Sequence, residues 1–269
     1  MKIIVGVEGR RRDVFDHAKT LGVPVLVSAN SLWDNERQKF RGWRRYLDYD
    51  TTLDSGGFVA MKQYGGFRFS AEQYATLARD MRPTWWAQMD FCCEPEIAAD
   101  QRVVFQRIDM TVEQLHECRR AAASCGAPPP TPVLQGWAPA DYCQGPAYDQ
   151  GFQWPDLVGI GSVCRRSLHG PAGIMAVMEA LNAKVPPHVK FHLFGVKSTA
   201  VARIIEHFPN RVASIDSMAW SSAARWEAYL RKVSCNSGLR ISHLDRWVNK
   251  QAVVVNEAEK EPTLWSLLK

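Results

Sequence analysis

Leu53-Asp54-Ser55-Gly56-Gly57-Phe58 places an acid and a hydroxyl after an apolar, β-prone lead-in, then two glycines and an aromatic. A strand that ends this way can present a carboxylate at its tip, while the glycines let the backbone turn and approach a ligand closely. Asp-Ser-Gly-Gly is also a good turn sequence in its own right. Later apolar runs finish in the same fashion: Met89-Asp90, Leu134-Gln135, Gly159-Ile160-Gly161-Ser162, Phe194-Gly195 and Ile215-Asp216-Ser217. Any single acid in this set reads better as a helix cap or an ion-pair partner. Three acids at three strand ends suit a pocket in which one carboxylate attacks and another moves protons. With Gln135 to read ring edges and Phe58, Phe194, Trp137 and Met218 as apolar neighbours, the ligand expected is a flat, polar heterocycle.

These residues need a scaffold that gathers strand ends. Eight strand-like runs alternate with helical or connecting segments. They are Lys2–Val7, Val23–Ala29, Tyr49–Leu53, Trp85–Met89, Pro132–Leu134, Leu157–Ile160, Val189–Phe194 and Val212–Ile215. The pattern predicts an α/β fold, a parallel (β/α)8 TIM barrel. An open doubly wound sheet is the alternative, but it would collect polar tips mainly at one switch point. Capping boxes are read at Ser70-Ala71-Glu72-Gln73 and Thr111-Val112-Glu113-Gln114, the second opening a helix to Cys125. Helices are also expected from Arg10 to Leu21, from about Pro171 to Lys184, from a Ser198 cap to His207, and from Ser221 or Ser222 to about Lys232. Residues 138–154 read as a loop with a short helix. The barrel is assigned to residues 1–233, with 234–269, which shows no clear period, as an extension packed on it.

Composition sets outer bounds. A chain of 269 residues with 46% hydrophobic and 23% charged residues is long and apolar enough for one large core without staples. The charge of +5 permits a polyanion partner without requiring one. Seven Cys without framework spacing, and no secretory leader after Met1, predict a reducing, cytoplasmic setting. No apolar run reaches membrane-spanning length, so no membrane partner is expected.

In order, these stations resemble the tRNA-guanine transglycosylase superfamily over roughly residues 25–220. Asp54-Ser55-Gly56-Gly57-Phe58 is the specific signature. The resemblance implies exchange of guanine in a polynucleotide for a 7-deazaguanine. It implies Asp216 as the nucleophile on the sugar C1′ and Asp54 as general acid/base. Asp90 and Gln135 would read the guanine edge, with Ser55, Gly159, Ser162 and Gly195 around it. Backbone at Gly161 would meet the exocyclic oxygen, and Phe58 and Phe194 would sandwich the ring. The chemistry parallels retaining glycosidases: a carboxylate takes the anomeric carbon, and the incoming base displaces it.

The tRNA enzymes carry a zinc site, Cys-x-Cys-x-x-Cys with a distant His, after the last catalytic strand. Here only Cys235 and His243 stand there, too few for a closed site unless ligands join from elsewhere. No zinc or other cofactor is therefore expected beyond a free co-substrate base such as 7-cyano-7-deazaguanine. The chain more resembles the DNA-directed branch, the DpdA-type enzymes of phages and bacterial DNA-modification clusters. The reading is a DNA-guanine transglycosylase, a pentosyltransferase in the host cytoplasm if phage-encoded. A reduced tRNA enzyme and a non-catalytic nucleic-acid-binding barrel are the alternatives. Arg165, Arg166 and Lys197, Arg10–Arg12, and Arg41, Arg44 and Arg45 within the basic 37–45 stretch all follow strand ends, where phosphates would pass. Trp33, Phe40, Trp43 and Tyr46 are interleaved with the last group and either stack on bases or sit in the core. In duplex DNA the guanine would have to leave the stack.

Overall fold

The computed structural model describes residues 1–9, 11–144 and 152–260. Eight strands run parallel in one sheet: β1 (Lys2–Val7), β2 (Val25–Ser28), β3 (Thr51–Asp54), β4 (Trp85–Trp86), β5 (Val133–Leu134), β6 (Leu157–Ile160), β7 (Lys190–Leu193) and β8 (Val212–Ser217). Their spatial order is β4-β3-β2-β1-β8-β7-β6-β5, so the first strand lies beside the last. The two outer strands meet just beyond their named ends. Ala87 bridges Thr131 in parallel, with Thr131 N donating to Trp86 O and Gln88 N to Thr131 O. The Gln88 side chain stitches the same seam: its Nε2 donates to Thr111 O at 2.6 Å and its Oε1 accepts from Val133 N at 3.0 Å. The fold is α/β and TIM-barrel-like, as the sequence predicts.

The strands are short apolar runs because both of their faces are covered, the inner by one another and the outer by helices. Side chains alternate between the two. Val27, Leu53, Val158, Ile160, Phe191, Leu193 and Ile215 are buried in the two large apolar clusters. Thr52 and Asp54, His192 and Phe194, and Ser214 and Asp216 occupy the alternate positions. Register levels the tips: Ser28 stands opposite Asp54, and Ile4 opposite Asp216.

The outer helices are α1 (Arg12–Thr20), α2 (Ala71–Met81), α3 (Gln101–Cys125), α4 (Ile174–Lys184), α5 (Val201–His207), α6 (Ala219–Leu230) and α7 (Ser237–Lys260). Ser70 closes a full capping box on α2, as predicted. The second predicted box does not form. α3 starts ten residues earlier than Thr111, at Gln101, under an Asp100 cap. Thr111 lies mid-helix, its hydroxyl bonded back to Arg107 O at 2.8 Å, a local alternative open to any helical Thr. Ser198 accepts the Trp247 indole N–H instead of capping α5, and Ser221 and Ser222 lie inside α6, whose first turn is held by Ser217 Oγ.

Between β2 and β3 the crossover has no long helix. It is a short turn of helix at Ala29–Leu32, a two-stranded antiparallel hairpin (Trp33–Asp34 with Lys39–Phe40) and a 3-10 turn at Trp43–Tyr46. α7 replaces the period-free tail expected after residue 233. Arg240, Leu244, Trp247, Gln251 and Val255 are buried along one face of it, against α1, α5 and α6. Two polar residues in that face hide its period from a hydrophobic pattern. Arg10 and the 145–151 part of the predicted 138–154 loop lie outside the described residues, as do residues 261–269 of the extension. Among the described residues no helix is long and apolar enough to cross a membrane.

Candidate active site at the strand tips

Asp54, Asp90, Gln135, Ser162 and Asp216 converge at the carboxyl ends of the strands. Gly56 makes this possible at β3. It sits at φ +77°, where a side chain is strained, and a Cβ there would collide with Ser28 Oγ. Asn30 fastens the turn through Nδ2, which donates to Gly56 O at 2.8 Å. Asp54 Oδ2 then accepts from Gly56 N at 3.0 Å.

Burial is the largest influence on Asp54 and raises its pKa well above the usual carboxylate range. The neighbouring Asp90 and Asp216 raise it further, and the Gly56 and Ser55 amides only partly offset this. Both neighbouring acids thus act on Asp54, whose acid form is favoured by burial and by their charges. Asp90 is also raised by burial, opposed by hydrogen bonds from Ser55 and Gln135.

Those bonds form a fixed chain. Ser55 Oγ donates to Asp90 Oδ1 at 2.7 Å, and Gln135 Nε2 donates to Asp90 Oδ2. Ser162 Oγ donates to Gln135 Oε1 at 2.6 Å and accepts from Cys93 N at 2.6 Å. Ser162 reaches this position at φ +53°. Asp216 Oδ1 accepts from Gly195 N at 2.8 Å. Ser55, Ser162 and Gly195 are therefore committed to orienting the acids and the amide.

A family model described as DpdA, DeoxyPurine in DNA protein A, matches residues 14–266. The chain belongs to the DpdA family. No curated protein matches it. Among solved structures it is similar to one described as a candidate fructose-1,6-biphosphate aldolase from Coccidioides immitis, at 11% identity over 97% of this chain and 93% of that one, with a TM-score of 0.48.

The remaining predicted residues of this DpdA-family site take varied places. Gly159 and Gly161 leave room at the pocket wall: a Cβ on Gly159 would strike the Phe194 ring, and one on Gly161 the Gln135 amide. Phe58 is 40% exposed. Phe194 instead lies edge-on to His192 at 4.5 Å and Trp85 at 6.3 Å. Arg166 is misread by the sequence as a phosphate contact. It is 3% exposed, and its guanidinium donates to Ser162 O, Gly136 O, Ala172 O and Tyr142 Oη while lying over the Trp137 ring. With four of its five N–H donors engaged and the group buried, this guanidinium staples the loops after β5 and β6 rather than facing solvent. Arg165, next to it, is exposed and paired with Glu96. Lys197, Arg41 and Arg44 are exposed and Arg45 half-buried. Arg41 Nη1 donates to Asp34 at 2.8 Å, and Arg45 Nε to Gly42 O at 3.0 Å. Trp33 and Tyr46 are core residues and Phe40 packs on Trp33, so these three do not stack on bases. Trp43 carries Arg44 over its ring.

His192, Asn30, Cys93 and Tyr142 were not singled out by sequence. Asn30 and Cys93 act through an amide contact to a turn, and Tyr142 through its hydroxyl to Gly161 O at 2.8 Å, roles that residue type does not signal. His192 had a visible cue: it is a polar residue inside the apolar run Phe191–Phe194, two positions before Phe194.

A cavity of about 740 Å³ is at the opposite end of the DpdA-family barrel, around Lys2, Asp50, Thr84, Lys190 and Val212. These are strand beginnings, and the acids are at strand ends. The tips are the better candidate site because titratable groups converge there.

Packing at the tips gives a direct expectation. A Cβ on Gly57 would run into the Asp90 carbonyl oxygen and crowd its carboxylate. Gly57→Ala should cost about 1–3 kcal/mol of stability, the usual scale of overpacking, and lose activity through displacement of Asp90. Thermal melting and exchange assays of the purified variant check both.

Proposed function

We propose that this chain exchanges guanine in DNA for a 7-deazaguanine through a covalent Asp216–sugar intermediate. The observation that carries the reading is the convergence of three carboxyls and one amide at the tips, with the Asp54 pKa raised chiefly by burial. A protonated Asp54 can donate to the departing guanine. Asp216 has its described donor contacts on Oδ1, leaving Oδ2 to attack C1′. The ester so formed keeps the sugar activated until the incoming base, losing its proton to Asp54, displaces Asp216. Asp90 and Gln135, already polarised against each other, would exchange that contact for the Watson–Crick edge of the base. Membership of the DpdA family supports DNA modification as the setting.

The test is release of labelled guanine from DNA and from tRNA on addition of 7-cyano-7-deazaguanine. DNA-dependent exchange is expected. Exchange on tRNA alone would favour the reduced tRNA enzyme, and none on either would favour the non-catalytic barrel.

Phosphates would cross the mouth near Arg44 and Lys197, whose charges have no ion-pair partner among the described contacts. Arg44→Ala combined with Lys197→Ala should weaken DNA binding and lower the salt slope by about 2, close to one released counterion per charge, while leaving free-base binding unchanged. Fluorescence anisotropy across a salt series measures it, and an unaltered slope removes the pair from the footprint.

The reading needs no metal. Among the described residues no three His, Cys, Asp or Glu side chains cluster to hold an ion, and His243 bonds Glu227 at 2.8 Å. Purified protein should contain no stoichiometric zinc and keep its fold in chelator. One tightly held zinc per chain by elemental analysis would contradict this.

A further inference from the structure

His192 is fully buried in the barrel interior and takes part in none of the steps above. It stands on β7 beside β8, so its ring faces two side chains of that neighbouring strand. Its Nδ1 lies 2.8 Å from Ser214 Oγ. Its Nε2 lies 3.3 Å from Asp216 Oδ1 but makes no aligned hydrogen bond, and it is a buried nitrogen without a partner. Such an atom is costly unless something uses it. Two aromatic rings pack edge-on against the imidazole, Phe194 at 4.5 Å and Trp85 at 4.8 Å, and neither gives Nε2 a hydrogen bond.

We propose that His192, oriented by Ser214, is the positioning residue for the attacking carboxylate. An Nε2 lone pair facing a carboxylate oxygen would repel it, so Nε2 carries the proton and points it at Oδ1. In the neutral ring Nδ1 then accepts from the Ser214 hydroxyl. Oδ1 is thereby faced by two donors, Gly195 N and His192 Nε2, and Oδ2 is left as the attacking oxygen. When the sugar ester breaks, charge returns to the carboxylate. The 3.3 Å contact can shorten at that point, so that the donor is worth more to the free carboxylate than to the ester, while before attack it holds Oδ2 in line with C1′.

The inference rests on Asp216 being the nucleophile, and its test keeps the two apart. His192→Gln places an amide N–H near the Nε2 position. His192→Asn reaches only the Nδ1 position, so it retains the Ser214 contact and loses Asp216. Single-turnover formation of the protein–DNA adduct should stay within about tenfold of wild type in His192→Gln and fall by about 10²-fold in His192→Asn, the scale of a reacting group left out of position. Binding of free base should be unchanged in both. A purely structural histidine would not separate two amides of like polarity. Ser214→Ala, a small change that leaves the imidazole in place, should slow the adduct by about tenfold, as loss of an orienting partner does. Equal rates for Gln and Asn, or a wild-type rate in Ser214→Ala, would overturn the positioning role. No adduct in the wild type would instead overturn the nucleophile itself, and this inference with it.

Discussion

Asp216→Asn should abolish exchange and the covalent adduct together, a fall on the order of 10⁶-fold, the size seen when a covalent nucleophile is removed. The amide keeps the shape of the carboxyl and can still accept from Gly195 N through its oxygen, so the fold should survive and free base should still bind. Its oxygen is a very poor nucleophile, so no ester forms. One further effect is expected at Asp54. The Asp216 charge is among the causes that raise the Asp54 pKa, and removing it should lower that pKa toward the ordinary range without reaching it, because burial is the larger cause. Steady-state exchange, denaturing gels and a carboxyl titration by NMR of the variant check these outcomes.

Asp54→Asn should behave differently. It removes a proton donor and leaves the attacking carboxylate intact. Turnover should drop by about 10²–10⁴-fold, the range for a lost general acid/base, while slow adduct formation persists. The pH dependence follows from the sign of the shift. A raised pKa means that the acid form survives to higher pH than an ordinary Asp allows. Adduct formation, which needs that proton for the leaving guanine, should be retained below the raised pKa and lost as pH climbs through it. Asp54→Asn should lack that alkaline limb. Adduct persisting in Asp216→Asn and absent in Asp54→Asn would reverse the two roles. Full activity in both would favour the non-catalytic reading.

The candidate catalytic residues are more legible in the sequence than the ones that hold them. Asp54, Asp90, Gln135 and Asp216 stand at strand ends because acid or amide after a short apolar run is visible in one dimension. Strand number and order followed from the same runs. What hid was three-dimensional bookkeeping. Arg165 and Arg166 look alike in sequence, yet one reaches solvent and the other turns inward to four acceptors on the two loops after β5 and β6. Trp33 and Tyr46 sit among arginines in the chain and in the core of the fold. Thr111 has the composition of a cap and the position of a mid-helix residue, because a capping box cannot be told from a helix that began ten residues before it. α7 went unread because Arg240 and Gln251 interrupt its buried face. His192 was missed for the opposite reason: a single polar residue in a buried strand looks like an exception until its neighbour on the next strand is known.

The most direct measurement is to incubate the protein with guanine-containing DNA and no incoming base, denature it, and map the modified peptide by mass spectrometry. The account predicts DNA linked through an abasic sugar to the peptide bearing Asp216, released on addition of the 7-deazaguanine. Linkage at Asp54, or robust base exchange with no linked species at any time, would contradict it.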